Sequence, residues 1–172
     1  MKPKLIGLAG FAGSGKSTVA EYLDWKHSYV RYAFATKIKA MLGLGLGLTI
    51  EEMYGEKKNI PCDRLGGKTP RHAMQTLGTE WGRNLIYPNL WCDLLMDQIS
   101  REGQSAVVIE DVRFQNEVFA ILKRGGIVWE IVRNPSTDTH TSEQHLHNTL
   151  PIFNNSDIKT LHQSVTRLVV SY

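Results

Sequence analysis

Residues 4–9 form an apolar strand pattern that breaks at Gly10, Gly13 and Gly15 and resumes with helical spacing at Val19, Ala20 and Leu23. The chain thus starts as strand, tight loop and helix. Residues 29–34 read as a second short strand and 36–46 as a helix. The repeated Gly-Leu of residues 43–48 weakens that helix towards its end, since an interior glycine costs about 1 kcal/mol relative to alanine. Thr49 followed by Glu52 has capping-box spacing and starts a short helix over 50–54, after which 55–68 reads as polar loop. Thr69 caps well and Pro70 suits a first helical position, so one helix is expected from Pro70 to about Ile86. Residues 88–101 give a further helix, with Leu90, Leu94, Leu95 and Ile99 as its apolar stripe.

Residues 106–109 are apolar without alternation, the pattern of a strand covered on both faces, and they are expected to be the most central strand. Residues 116–124 read as a helix closed by Gly125 and Gly126, 127–132 as the next strand and 150–153 as a last short one. Ser156 is the expected cap of a final helix carrying Ile158, Leu161, Val165, Leu168 and Val169. The polar stretch that begins at residue 134 reads as a loop or lid, about 134–148. Strands alternating with helices imply an α/β sandwich with a mostly parallel sheet.

A chain of 172 residues makes one domain the default, and 42% apolar with 22% charged residues excludes a wholly disordered chain. No apolar run approaches the ~20 residues of a membrane span, so a soluble, cytoplasmic protein is expected, without a membrane partner. The net charge of +3 suits a cleft that collects phosphates, while the basic residues lack aromatic interleaving. Binding to a nucleic-acid polymer is therefore not expected. Cys62 and Cys92 have no C-x-x-C spacing, and His140, His145 and His147 lack zinc-site partners; buried or incidental thiols and a polar loop are the plainer readings.

The strongest chemical signal is Gly10-Phe11-Ala12-Gly13-Ser14-Gly15-Lys16-Ser17, a full G-x-x-x-x-G-K-[ST] match of which about 0.01 are expected by chance in this composition. Small residues let successive N–H groups curl around a phosphate, and the following helix N-terminus adds a favourable dipole. Lys16 is then placed to meet the β- and γ-phosphates and the Ser17 hydroxyl to ligate Mg²⁺. Such a loop needs an acid at the end of a neighbouring apolar strand, and Glu110 and Asp111 follow residues 107–109; side chains alternate along a strand, so one of the two faces the phosphates. Transfer to an anionic acceptor also needs cations, for which Arg71, Arg83, Arg113 and Arg133 are candidates, each with the alternative of a solvated surface arginine. Trp81 and Trp91 could stack on a base or belong to the core.

Several strings together resemble the bacteriophage deoxynucleoside monophosphate kinases, a branch of the P-loop nucleoside monophosphate kinases. They are the P-loop; Phe34-Ala35-Thr36-Lys37-Ile38-Lys39; Pro70-Arg71 with Gln75, Gly78-Thr79-Glu80 and Arg83; Trp91 and Asp93; Asp111-Val112-Arg113-Phe114 with Asn116-Glu117; and His140 with Ser142-Glu143. The resemblance implies a three-layer α/β/α P-loop kinase fold spanning 1–172 as a single domain, with an acceptor-binding helical segment about 36–104. It implies transfer of the γ-phosphate of ATP, with Mg²⁺, to a deoxynucleoside monophosphate, giving the diphosphate and ADP. Position by position, it implies that Gly10, Ala12, Gly13, Ser14, Gly15, Lys16, Ser17, Thr18 and Arg133 bind ATP, and that Ser17 and Asp111 serve the metal. Lys16, Arg71, Asp111 and Arg113 would carry the transfer; Lys37, Arg71, Gln75, Arg83, Trp91, Asp93 and Arg113 would hold the acceptor. Residues 134–148 contain no Lys or Arg, so Arg133, or His140 when protonated, stands in for the lid cation. A homodimer is compatible with the sequence, and a phage origin would place the enzyme in the host cytoplasm. The alternatives are a P-loop kinase for another small acceptor, such as dephospho-coenzyme A, and a non-kinase NTP-binding switch.

Overall fold

The computed structural model describes residues 2–133 and 146–172. In chain order the elements are β1 (Leu5–Ala9), α1 (Lys16–His27), β2 (Val30–Tyr32), α2 (Ala35–Leu46), α3 (Ile50–Tyr54), two 3₁₀ turns (Glu56–Asn59 and Asp63–Leu65), α4 (Pro70–Gln75), a π-helix (Thr76–Ile86), α5 (Leu90–Glu102), β3 (Val107–Ile109), α6 (Gln115–Lys123), β4 (Ile127–Val132), β5 (Leu150–Phe153) and α7 (Ile158–Ser171). They form two compact units, Met1–Ala33 with Leu95–Tyr172, and Phe34–Leu94. Residues 134–145 of the expected lid lie outside the described residues. Among the described residues no helix is long and apolar enough to cross a membrane.

The first unit is a five-stranded parallel sheet in the order β2-β3-β1-β4-β5. The expectation that residues 106–109 are most central is corrected: β1 holds the centre and β3 lies between it and β2. Both strands are buried throughout, so apolar content does not rank them; the crossovers do. Ile6 and Leu8 of β1 join one cluster with Val19, Ala20 and Leu23 of α1 and Leu161, Val165 and Val169 of α7. Gly7 points the other way, where a Cβ would lie 2.6 Å from Ile121 Cδ1 of α6. The result is helix, sheet, helix: a three-layer α/β/α unit. Its last helix is capped by Asp157 rather than Ser156. The Asp157 carboxylate accepts the Thr160 N–H at 2.7 Å, and that bond holds the carboxyl below its ordinary range.

In the second unit the capping box of Thr49 and Glu52 starts α3 as expected. The segment expected as polar loop, 55–68, instead forms two 3₁₀ turns and a bridge pairing Cys62 with Lys68. It is held by Arg64, which donates to the Gly47 carbonyl and to Glu52 Oε1 at 3.2 Å. Side-chain to backbone bonds of this kind leave no trace in hydropathy.

The single helix expected from Pro70 to about Ile86 is α-helical only to Gln75 and continues as a π-helix. Trp91 gives the physical reason. Its indole N–H donates to the Gly78 carbonyl at 2.7 Å, taking an acceptor that an α-helix would use for residue 82. Gly82 lies directly against the ring, and its carbonyl accepts from Tyr87 N, five residues on. Arg71 on α4 and Arg83 in the π-helix are therefore not related by a constant 3.6 residues per turn. The stripe expected on the next helix also shifts: Trp91, Cys92, Leu95 and Met96 are buried, whereas Leu94 is 40% exposed. The large ring at 91 sets which face turns inward.

A Cβ at residue 82 would lie 2.6 Å from the Trp91 ring atoms Cζ2 and Nε1, and the ring cannot retreat without losing its bond to Gly78. Gly82→Ala is therefore expected to destabilise the protein by about 1–3 kcal/mol, read as a lowered Tm in thermal denaturation; an unchanged Tm would contradict this packing.

Candidate active site

The loop joining β1 to α1 is bent by glycines in the left-handed region: Gly10 at φ +128° and Gly15 at φ +109°. At both, a side chain is excluded by contact as well as by φ. A Cβ on Gly10 would strike the Ile131 carbonyl, and one on Gly15 would lie 2.6 Å from Asn154 Nδ2. Gly15 then serves as N-cap of α1, which has no side-chain cap and no acid in its first turn. Lys16 stands there instead, a cation at the positive end of the helix dipole, an arrangement that favours an anion in front of it. Its Nζ folds back to donate to the carbonyls of Gly10 at 2.6 Å and Phe11 at 2.8 Å, which keeps the charge within the loop. Ser14 is buried, and Ser17 is exposed on the first turn of α1.

The two acids follow directly on β3. Glu110 accepts from Arg31 of β2, with Nη2 at 2.7 Å and Nε at 3.2 Å. Burial pulls the Arg31 guanidinium down, but the bond and charge of Glu110, with Glu21 and Asp24 farther away, more than offset it and hold it above its ordinary value. Glu110 is thus committed to β2. Asp111 follows where the ladder ends: Val112 N donates to Leu8 O at 3.1 Å, one residue later than the β1–β3 register would place that bond, so the chain leaves the register at Asp111, which is partly buried. Arg113 follows on the exposed surface.

Arg133, just beyond β4, approaches the Gly13 carbonyl with Nη1 at 3.5 Å. It lines a groove of about 400 Å³ together with Gly13, Lys16, Thr18, Asn154 and Ser156. Asn154 and Ser156 are site residues that the sequence reading missed. Asn154 donates its side-chain amide to the Ser14 carbonyl at 2.8 Å and its backbone N–H to Val132 O at 2.7 Å, so it ties the glycine loop to the end of β4. The available signal was position: a polar Asn-Asn-Ser string directly after a parallel strand, at the sheet edge where open α/β proteins bind ligands.

The remaining expected residues belong to the second unit. Lys37 is partly buried on α2, Arg71 and Gln75 are exposed on α4, and Arg83 is partly buried in the π-helix. Asp93 accepts from the Tyr87 hydroxyl at 2.9 Å. Of the two readings of Trp91, the core one describes it: the ring is 1% exposed, its N–H and its face are both spent inside the unit, and the acceptor contact that the resemblance implies is not open to it. Trp81, 38% exposed, is the one of these two with open surface, and it lines a largely apolar groove of about 340 Å³ with Leu42, Leu46, Leu65, His72 and Thr76. Among the described residues no group of three or more His, Cys, Asp or Glu side chains is placed to hold a metal ion.

The sequence model of the deoxynucleotide monophosphate kinase family matches residues 68–165. A putative deoxynucleotide monophosphate kinase of Acanthamoeba polyphaga mimivirus is 34% identical, over 96% of this chain and 95% of its own length. The deoxynucleoside-5'-monophosphate kinase of Escherichia phage T5 is 26% identical, over 66% of this chain and 69% of its own. Among solved structures, a Thermus thermophilus protein superposes with a TM-score of 0.56 at 16% identity, covering 99% of this chain and 98% of that one. The dephospho-CoA kinase of Campylobacter jejuni gives 0.51 at 15% identity, covering 98% and 96%. At such identities the structures speak for the fold alone, whereas the family model and the mimivirus relative speak for descent. The chain belongs to the deoxynucleotide monophosphate kinase family and is a phosphotransferase.

Proposed function

We propose that the chain transfers the γ-phosphate of ATP to a deoxynucleoside monophosphate, yielding the diphosphate and ADP. The observation that carries this reading is the glycine loop itself, with left-handed Gly10 and Gly15, an uncapped helix start and Lys16 folded into it. In the proposal Gly10, Ala12, Gly13, Ser14, Gly15 and Thr18 contribute to the cradle of the triphosphate. Arg133, with Asn154 and Ser156 along the adjoining groove, takes the nucleoside end. Lys16 holds the moving phosphoryl group and Arg113 neutralises charge on it.

Ser17 and Asp111 offer one hydroxyl and one carboxylate, hard oxygens that suit Mg²⁺ bound mainly through nucleotide phosphates and water. Glu110 is engaged by Arg31, which supports assigning the metal role to Asp111. When bound, Mg²⁺ would supply charge neutralisation to the phosphates. The acceptor phosphate is assigned to Arg71 and Arg83, with Lys37, Gln75 and Asp93 around the rest of the acceptor. The groove beside Trp81 supplies apolar surface for a base. Trp91 contributes through the helix it supports. The acceptor oxygen is already anionic, so positioning and electrostatics suffice and no strong general base is required.

A coupled ADP-release assay over a panel of nucleoside monophosphates tests the reading: release that depends on a deoxynucleoside monophosphate supports it, and release indifferent to every acceptor points to an NTP-binding switch. Lys16→Ala is expected to abolish transfer, and Arg113→Ala to lower kcat at least about 10²-fold, equivalent to about 2.7 kcal/mol. Chelation with EDTA is expected to stop turnover, and added Mg²⁺ to restore it; turnover persisting in EDTA would remove the metal from the scheme. Asn154→Ala removes one bond worth about 1 kcal/mol from the cradle, so calorimetric titration is expected to show about fivefold weaker ATP binding. An unchanged Kd would detach Asn154 from the loop's function.

A further inference from the structure

The most buried charged side chain named above only as part of a motif is Glu117, which is 1% exposed. It occupies the third position of α6, whose N-cap is Phe114, a residue with no side-chain acceptor. Glu117 Oε2 accepts the backbone N–H of Arg113 at 2.7 Å and of Phe114 at 3.0 Å. The orphan donor of the N-cap and the N–H of the residue before it are thereby satisfied, and the dipole of α6 favours the negative charge.

Capping alone does not require this arrangement. A Ser or Asp at position 114 would cap α6 at the surface without taking a carboxylate out of water, a transfer that is expensive unless specific donors repay it. The chosen solution reaches back one residue further than a cap needs to, to the N–H of Arg113. Residues 112–114 are then held one after another: Val112 by burial and by its bond to Leu8 O, and Arg113 and Phe114 by the carboxylate. The backbone from which the Arg113 guanidinium projects has little freedom left.

We propose that Glu117 is a positioning residue for phosphoryl transfer, acting through the backbone of Arg113. The inference rests on the role proposed for Arg113, and a double-mutant cycle keeps the two apart. Glu117→Ala is expected to lower kcat at least about tenfold while KM for ATP stays within about twofold, because the ATP loop is untouched. Glu117→Gln, which keeps an acceptor oxygen at the same reach, is expected to recover most of that loss. In an Arg113→Ala background, Glu117→Ala is expected to have no further effect on kcat. Should Glu117→Ala fail to fold, judged by thermal melting, Glu117→Asp goes through the same cycle. It keeps the charge but shortens the reach, with a loss of kcat again confined to the Arg113 background. An equal loss of kcat in both backgrounds, or no loss in folded Glu117→Ala, would overturn the coupling. A wild-type kcat in Arg113→Ala alone would instead overturn the role of Arg113, and the premise with it.

Discussion

The first unit depends on how closely backbone approaches backbone at the carboxyl end of β1. Gly10 lies against the Ile131 carbonyl and Gly15 against the Asn154 amide, at distances no side chain tolerates. Those two contacts join the glycine loop to β4 and to the segment after β5, so the loop is a braced part of the sheet edge. Bracing matters because phosphoryl transfer draws little on covalent chemistry by the protein. It draws on donors and charges already in place when the phosphate arrives. Lys16, bonded to two carbonyls of the loop, and Glu117, bonded to two N–H groups of the turn after β3, extend the same logic to side chains.

A second piece of sorting takes place just past β3. Glu110 and Asp111 are chemically near-equivalent neighbours, yet Glu110 is held by Arg31 of β2, while the chain leaves the β1–β3 ladder at Asp111. Their neighbours, more than their own chemistry, divide their roles. The tryptophans are sorted by packing in the same way. Trp91 is drawn inward by two glycines and one carbonyl, and in being buried it rewrites the hydrogen-bond pattern of the helix that bears Arg83. Trp81 keeps open surface.

Much of this was legible in the residues. Every strand but β2 was bounded to within one residue, because apolar runs ended by glycines or polar clusters mark strands of a parallel sheet well, and the glycine loop was unmistakable. Strand order was not legible, since β1 and β3 carry the same buried signature. The π-helix was not legible either, because it arises from a contact between Gly78 and a tryptophan thirteen residues on. Asn154 escaped notice for a related reason: its partner, Ser14, is 140 residues away. Local spacing reports local chemistry, and these features are tertiary.

The central claim is that one loop grips a triphosphate whose terminal phosphoryl group leaves for a second, smaller anion. The most direct test follows the label of γ-³²P-ATP through a single turnover in the presence of a deoxynucleoside monophosphate. The account predicts that the label appears in the deoxynucleoside diphosphate. Label recovered only as inorganic phosphate would contradict it.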